Sequence, residues 1–226
     1  MNVTKLHSWD LSFKEAVSIQ RQLQKNLILS SLPKAPAIIA GADVSYDKNS
    51  RIFFSGIVLL TFPDLEIVEE VFFSASVSFP YIPGLLSFRE GPVVLEAFKK
   101  LKTKPDLIVF DGQGIAHPRG LGIASHMGLI LGIPSIGCAK TRLCGEFTEP
   151  GREKGDWSPL TLKGTDVGGV VRTKNDVKPV FVSPGHLIDI KSSIDVILQC
   201  ASKYRLPEPT RQAHLLVNRV RLNSHR

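Results

Sequence analysis

Three carboxylates stand where this sequence makes a charge expensive. Asp43 lies inside the apolar stretch "AIIAGADVSY", Asp111 closes "LIVFD", and Glu90 stands in "FREGP", just ahead of a helix expected to begin at Pro92. A carboxylate in an apolar strand is costly to bury unless it is paired or holds a metal. Hard cations such as Mg²⁺ take carboxylate oxygens, and in phosphodiester hydrolysis they activate water and stabilise the leaving oxygen. Singly, each acid reads equally well as a strand-end cap or a surface ion pair. Three acids on separate elements favour the metal.

Other residues gather around them in the sequence. In "DGQGIAHPR" (111–119), Gly112 and Gly114 would let the backbone approach a ligand closely, and His117 is held ahead of Pro118. Lys140 ends "IGCAK" and would bring an ammonium near Asp111. His214 sits on a basic helix, where it would orient a water or a phosphate, or serve only structurally. His7, His126, His186 and His225 read as structural. Tyr81 stands between Pro80 and Pro83, in a stiff turn that suits a protruding wedge or an ordinary core anchor.

Elements must position these groups. Residues 10–30 read as an amphipathic helix capped by Asp10 or Ser12, with Phe13, Ala16, Val17, Ile19, Leu23 and Leu27 near one face. Residues 37–46, 52–62 and 66–77 read as three strands of an antiparallel meander. "GPVVLEAFKKLK" has helical spacing, with Pro92 at the first helical position. "PDLIVFDGQG" is an unalternating apolar run, as in a buried strand; "LGIASHMGLILG" follows as helix and "IPSIGCAK" as strand. "GEFTEPGREKGDWSPL" reads as a loop, "VGGVVRT" and "PVFVSPGH" as a hairpin pair, and two helices close the chain. This order is the layout of an α/β, ribonuclease-H-like fold, a mixed β-sheet flanked by α-helices, and residues 1–226 read as one domain.

Composition narrows the class. The chain has 226 residues and a formal charge of +7, which favours a polyanionic partner. The excess concentrates at residues 203–226, read as a basic helix and tail in which Glu208 is the lone acid. Cys138, Cys144 and Cys200 lack metal-ligand spacing and suggest reduced thiols. No stretch suits a signal peptide or a membrane span, so a soluble, cytoplasmic monomer is expected.

Taken together, "GADVSY", "FPYIPGLLSFREGP", "DGQGIAHPRGLGIASHMG", "IGCAK", "SPGH" and "EPTRQAH" resemble the endonuclease V family over nearly the whole chain. The resemblance implies Mg²⁺ (or Mn²⁺) on Asp43, Glu90 and Asp111. It implies Lys140 and His214 around the scissile phosphate and attacking water, with His117 beside the site. Pro80, Tyr81, Ile82 and Pro83 would form a wedge filling the gap left by a flipped base, and Gly84, Leu86, Gly112, Gly122 and Ile123 a pocket for hypoxanthine. The implied substrate is single- or double-stranded DNA with deaminated bases, chiefly deoxyinosine. It is cut at the second phosphodiester bond 3′ to the lesion, leaving 3′-hydroxyl and 5′-phosphate ends. Inosine-containing RNA, branched or flap DNA, and lesion binding without cutting are the competing readings.

Overall fold

A computed structural model describes residues 3–224 of the chain. Among these, eight strands form one mixed sheet in the order β3-β2-β1-β4-β5-β8-β7-β6. Strands β1 (Ile38–Tyr46), β2 (Ile52–Thr61) and β3 (Ile67–Ser76) make the expected antiparallel meander. Strands β4 (Leu107–Phe110) and β5 (Ser135–Ala139) continue from β1 in parallel. β6 (Trp157–Leu162), β7 (Thr165–Val171) and β8 (Val180–His186) complete the sheet in antiparallel pairing. With its helical flanks this is the expected ribonuclease-H-like arrangement.

Alternation along the strands divides the core. Ala40, Ala42, Ile57, Ile108 and Phe110 face α2 (Leu86–Lys99) and α3 (Ile123–Leu131). Ile39, Leu107, Val109 and Val182 face the layer of α4 (Ile190–Cys200), while Val58 and Leu60 meet α5 (Glu208–Asn223). That period of two is the pleat of a strand with both faces covered.

Glycines seat α5. A Cβ at Gly41 would lie 1.8 Å from the carbonyl oxygen of Pro209, and one at Gly56 2.7 Å from Val217 Cγ1. At Gly41 the helix backbone itself excludes a side chain, and at Gly56 the side chains of Val217 and Leu216 would have to shift to admit one.

Several expectations are corrected. The first helix, α1, runs only over Phe13–Leu23, with Ser12 as cap; it buries Ala16, Gln20 and Leu23 and leaves Phe13 exposed. Helix α2 begins at Leu86, six residues before Pro92, which is an interior residue. Buried positions at Ser87, Phe88, Gly91, Val94, Leu95 and Phe98 hold helical spacing straight through the proline, which lies off that stripe. Glu90 is therefore within the helix and not ahead of it. The stretch expected as a loop yields β6, and Glu146 bridges to Thr161. Buried Arg172 pins the remainder by donating to the carbonyls of Gly151 and Pro150. The basic C-terminal segment is helix through Asn223, with Val217 buried and Arg219 ion-paired to Glu70; His225 and Arg226 lie outside the described residues. No helix among the described residues is long and apolar enough to cross a membrane.

Candidate active site

Asp43 sits on β1 opposite Gly56, and Asp111 follows the last residue of the neighbouring strand β4. Parallel pairing of β1 with β4 therefore brings the two carboxylates together. The seat at Gly41 and Gly56 lowers α5 onto the same face, where His214 Nδ1 comes within 2.8 Å of Asp43 Oδ2. Asp43, Asp111 and His214 each offer a ligand atom within 4.8 Å of the others. Glu90 falls outside that circle but is close enough to feel both aspartates.

The electrostatics are those of crowded negative charge. Burial, then repulsion from Asp111, raises the pKa of Asp43 above the ordinary carboxylate range. Burial pushes Glu90 up to about 8, with Asp43 and Asp111 adding to it and Arg89 opposing. Lys140 pairs with Asp111, a short contact between half-exposed and mostly buried groups. Buried carboxylates held together at this cost fit a hard divalent cation, whose charge would reverse the repulsion.

A pocket of about 390 Å³ adjoins the carboxylates and shares Asp111 and Lys140 with them. Gly84, Leu86, Gly112, Gly122 and Ile123, the five residues expected to form a base pocket, all line it, and so does His117, expected beside the site. Tyr81, Ile82 and Pro83 form its rim, with Tyr81 67% exposed; Pro80 is exposed and does not line it. Gly112 is tight, since a Cβ there would come 2.7 Å from Ile123 Cγ2. Gly114 belongs to packing instead: a Cβ would strike the Pro184 carbonyl, so its freedom serves the approach of β8 and not of a ligand.

Sequence reasoning passed over Gln20 and Arg119, which hold this pocket together with His117. The turn at Gly84 has φ +78°, and its carbonyl oxygen accepts from three side chains. Gln20 Nε2 donates to it at 2.9 Å, His117 Nε2 lies 3.0 Å away, and Arg119 Nη2 donates at 2.6 Å. Gln20 also donates to the carbonyl of Leu121 and accepts from Arg119 Nε. His117 Nδ1 accepts from the Arg119 amide, so both ring nitrogens are spent on the wall of the pocket. Burial, then the nearby Arg119, lowers its pKa to about 4. Arg89 answers for the wedge. Its guanidinium lies 5.7 Å from the Tyr81 ring, 5.3 Å from that of Tyr46 and 5.0 Å from that of Phe53, tying the rim to the β1–β2 hairpin.

The endonuclease V family pattern matches residues 21–215, most of the chain and all the groups just described except Gln20. The chain belongs to the endonuclease V family. It is 50% identical over 226 residues to endonuclease V of Kosmotoga olearia, covering 99% of this chain and 98% of that one. The crystal structure of endonuclease V from Streptomyces avermitilis superposes with a TM-score of 0.92 at 38% identity, covering 100% of both chains. Ciona intestinalis endonuclease V, solved in complex with a 24mer DNA containing an inosine followed by a ribo-adenosine, has a TM-score of 0.79 at 28% identity. That match covers 94% of this chain and 98% of the other.

Proposed function

We propose that this chain is a repair endonuclease that takes a deaminated base, chiefly hypoxanthine, into the pocket at Gly84. It then hydrolyses the second phosphodiester bond on the 3′ side, leaving a 3′-hydroxyl and a 5′-phosphate. One observation carries the reading: the pocket shares Asp111 and Lys140 with the carboxylate cluster and has an exposed tyrosine on its rim. The relative solved with inosine-containing DNA supports the choice of base.

Asp43 and Asp111, with Glu90 beside them, would hold Mg²⁺ or Mn²⁺, and such an ion supplies Lewis-acid stabilisation of phosphodiester oxygens. The chain's own groups do the rest. Tyr81 replaces the stacking lost when the base leaves the helix, offsetting part of a flipping cost of about a few kcal/mol. Backbone groups near Gly84 and Gly112 read the O6 acceptor and N1–H donor of hypoxanthine. Adenine would present its amino donor to a donor and leave both unpaired. Lys140 brings positive charge to the phosphate as negative charge develops. His214 holds Asp43 in orientation, and His117 holds the pocket wall.

The test is to incubate the protein with matched inosine- and adenosine-containing DNA and RNA oligonucleotides, with Mg²⁺ or excess chelator, and map the cut. Cleavage of inosine DNA one nucleotide beyond the lesion, abolished by chelator, is expected. Strong binding without cleavage would leave a lesion-binding protein; preferential cutting of inosine RNA would move the substrate class.

A further inference from the structure

His214, Asn218 and Arg221 are spaced by four and three residues along α5, and each is hydrogen-bonded to the next. Arg221 Nη2 donates to Asn218 Oδ1 at 3.2 Å. Asn218 Nδ2 lies 3.0 Å from His214 Nε2, and His214 Nδ1 lies 2.8 Å from Asp43 Oδ2. The proton positions follow from chemistry alone. A guanidinium has only donors, so the asparagine oxygen must face it and the NH₂ must face the histidine. That NH₂ only donates, so Nε2 must offer its lone pair. The proton of the neutral ring is then on Nδ1, aimed at a carboxylate oxygen. Flipping the amide would set NH₂ against guanidinium, donor against donor.

We propose that Asn218 and Arg221 are positioning residues that lock His214 in its Nδ1–H tautomer. The ring becomes a fixed donor to Asp43, and its Nε2 is withdrawn from service as a base or a metal ligand. A lock is needed because the His214 side chain is 46% exposed, against 10% for Asp43. Water would otherwise compete for both nitrogens and favour the Nε2–H form, the commoner tautomer of free histidine. Neighbours that fix a ring's tautomer and orientation typically matter by about 10–100-fold in affinity or activity. The inference rests on Asp43 belonging to a hydrolytic centre, but its first test does not.

That test is long-range ¹H–¹⁵N correlation spectroscopy of the metal-free, ¹⁵N-labelled full chain, with His214 assigned by loss of its signals in His214→Gln. Nδ1 should give the signature of a protonated nitrogen and Nε2 that of a bare one. In Asn218→Leu the ring should shift toward Nε2–H, and in Asn218→Asp, which faces the ring with an acceptor, Nε2 should become protonated. A wild-type ring carrying its proton on Nε2, or a ring unmoved by both substitutions, would overturn the lock. With inosine DNA, Asn218→Leu should lower kcat about tenfold at unchanged KM, with an unaltered melting temperature. An unchanged kcat despite a shifted tautomer would overturn its role in the reaction. Failure of the wild type to nick at all would instead strike the functional reading and leave the spectroscopic result standing.

Discussion

Glu90 keeps its proton at neutral pH, because burial and two neighbouring aspartates push its pKa to about 8. A carboxyl raised in the folded state gives stability that is full below its ordinary pKa and lost as pH rises through the folded value. Bound Mg²⁺ or Mn²⁺ would displace that proton, so the gain in melting temperature with either ion should grow between pH 6 and pH 8.5. Glu90→Gln should flatten the dependence; a gain that ignores pH in wild type would remove Glu90 from the metal set. Asp43→Ala or Asp111→Ala should abolish nicking while leaving the circular dichroism melt near wild type. Retained cutting by either would dissolve the proposed centre. These aspartates were legible in the sequence because a charge in an apolar strand has no cheap explanation. Gln20, Arg119 and Asn218 were not, since a polar residue on a helix or loop looks solvated until its partner is known. Gln20 and Arg119 meet Gly84 from far along the chain, and Asn218, one helical turn from His214, gains meaning only because that histidine reaches Asp43.

Elements were legible where punctuation was clear. The meander strands end within two residues of expectation because "DKNS" and "PD" mark its turns. Proline misled twice. Pro92 suggested a helix start but lies within α2, and Pro159 made an edge strand resemble a loop. Edge strands tolerate proline because one side of their backbone lacks a ladder partner, and β6 closes the sheet. The seat of α5 makes a sharper prediction. Gly41→Ala should lift the helix from β1 at a cost of about 1–3 kcal/mol or more, read by urea denaturation, and should lower nicking in parallel. A fully stable, fully active variant would show that the helix can be displaced freely. At the rim, Tyr81→Ala should lose more activity on duplex than on single-stranded inosine DNA, because only the duplex pays to flip its base. Equal losses on both would make the tyrosine a packing residue.

Across the whole molecule, two buried histidines set the response to acid. His126 lies among Phe88, Trp9 and His7, bonded to His7 Nε2 at 2.7 Å and Ser87 Oγ at 2.9 Å; burial, then His7, lowers its pKa to about 3. With His117 at about 4, both stay neutral in the fold while the unfolded chain takes up protons below its ordinary histidine pKa of about 6.5. Each should therefore cost about 1.4 kcal/mol per pH unit as pH falls below that value, partly offset by Glu90 down to about 4.5. Urea denaturation of the metal-free protein from pH 7.5 to pH 5 should show this slope. His117→Gln, which keeps a donor for the Gly84 carbonyl, should make it shallower; an unaltered slope would mean that His117 titrates alike folded and unfolded. Sheet register carries a consequence for how the protein is made. Asp43 and Asp111 become neighbours only when β1 zips onto β4, Ile39 beside Leu107, across a long intervening segment that holds β2, β3 and α2. Such distant pairings pay their loop-closure entropy before any contact rewards it, and they form late and slowly. No hairpin or helix formed early on the folding route contains both acids, so a chain emerging from synthesis has no half-built nuclease that could cut nucleic acid indiscriminately.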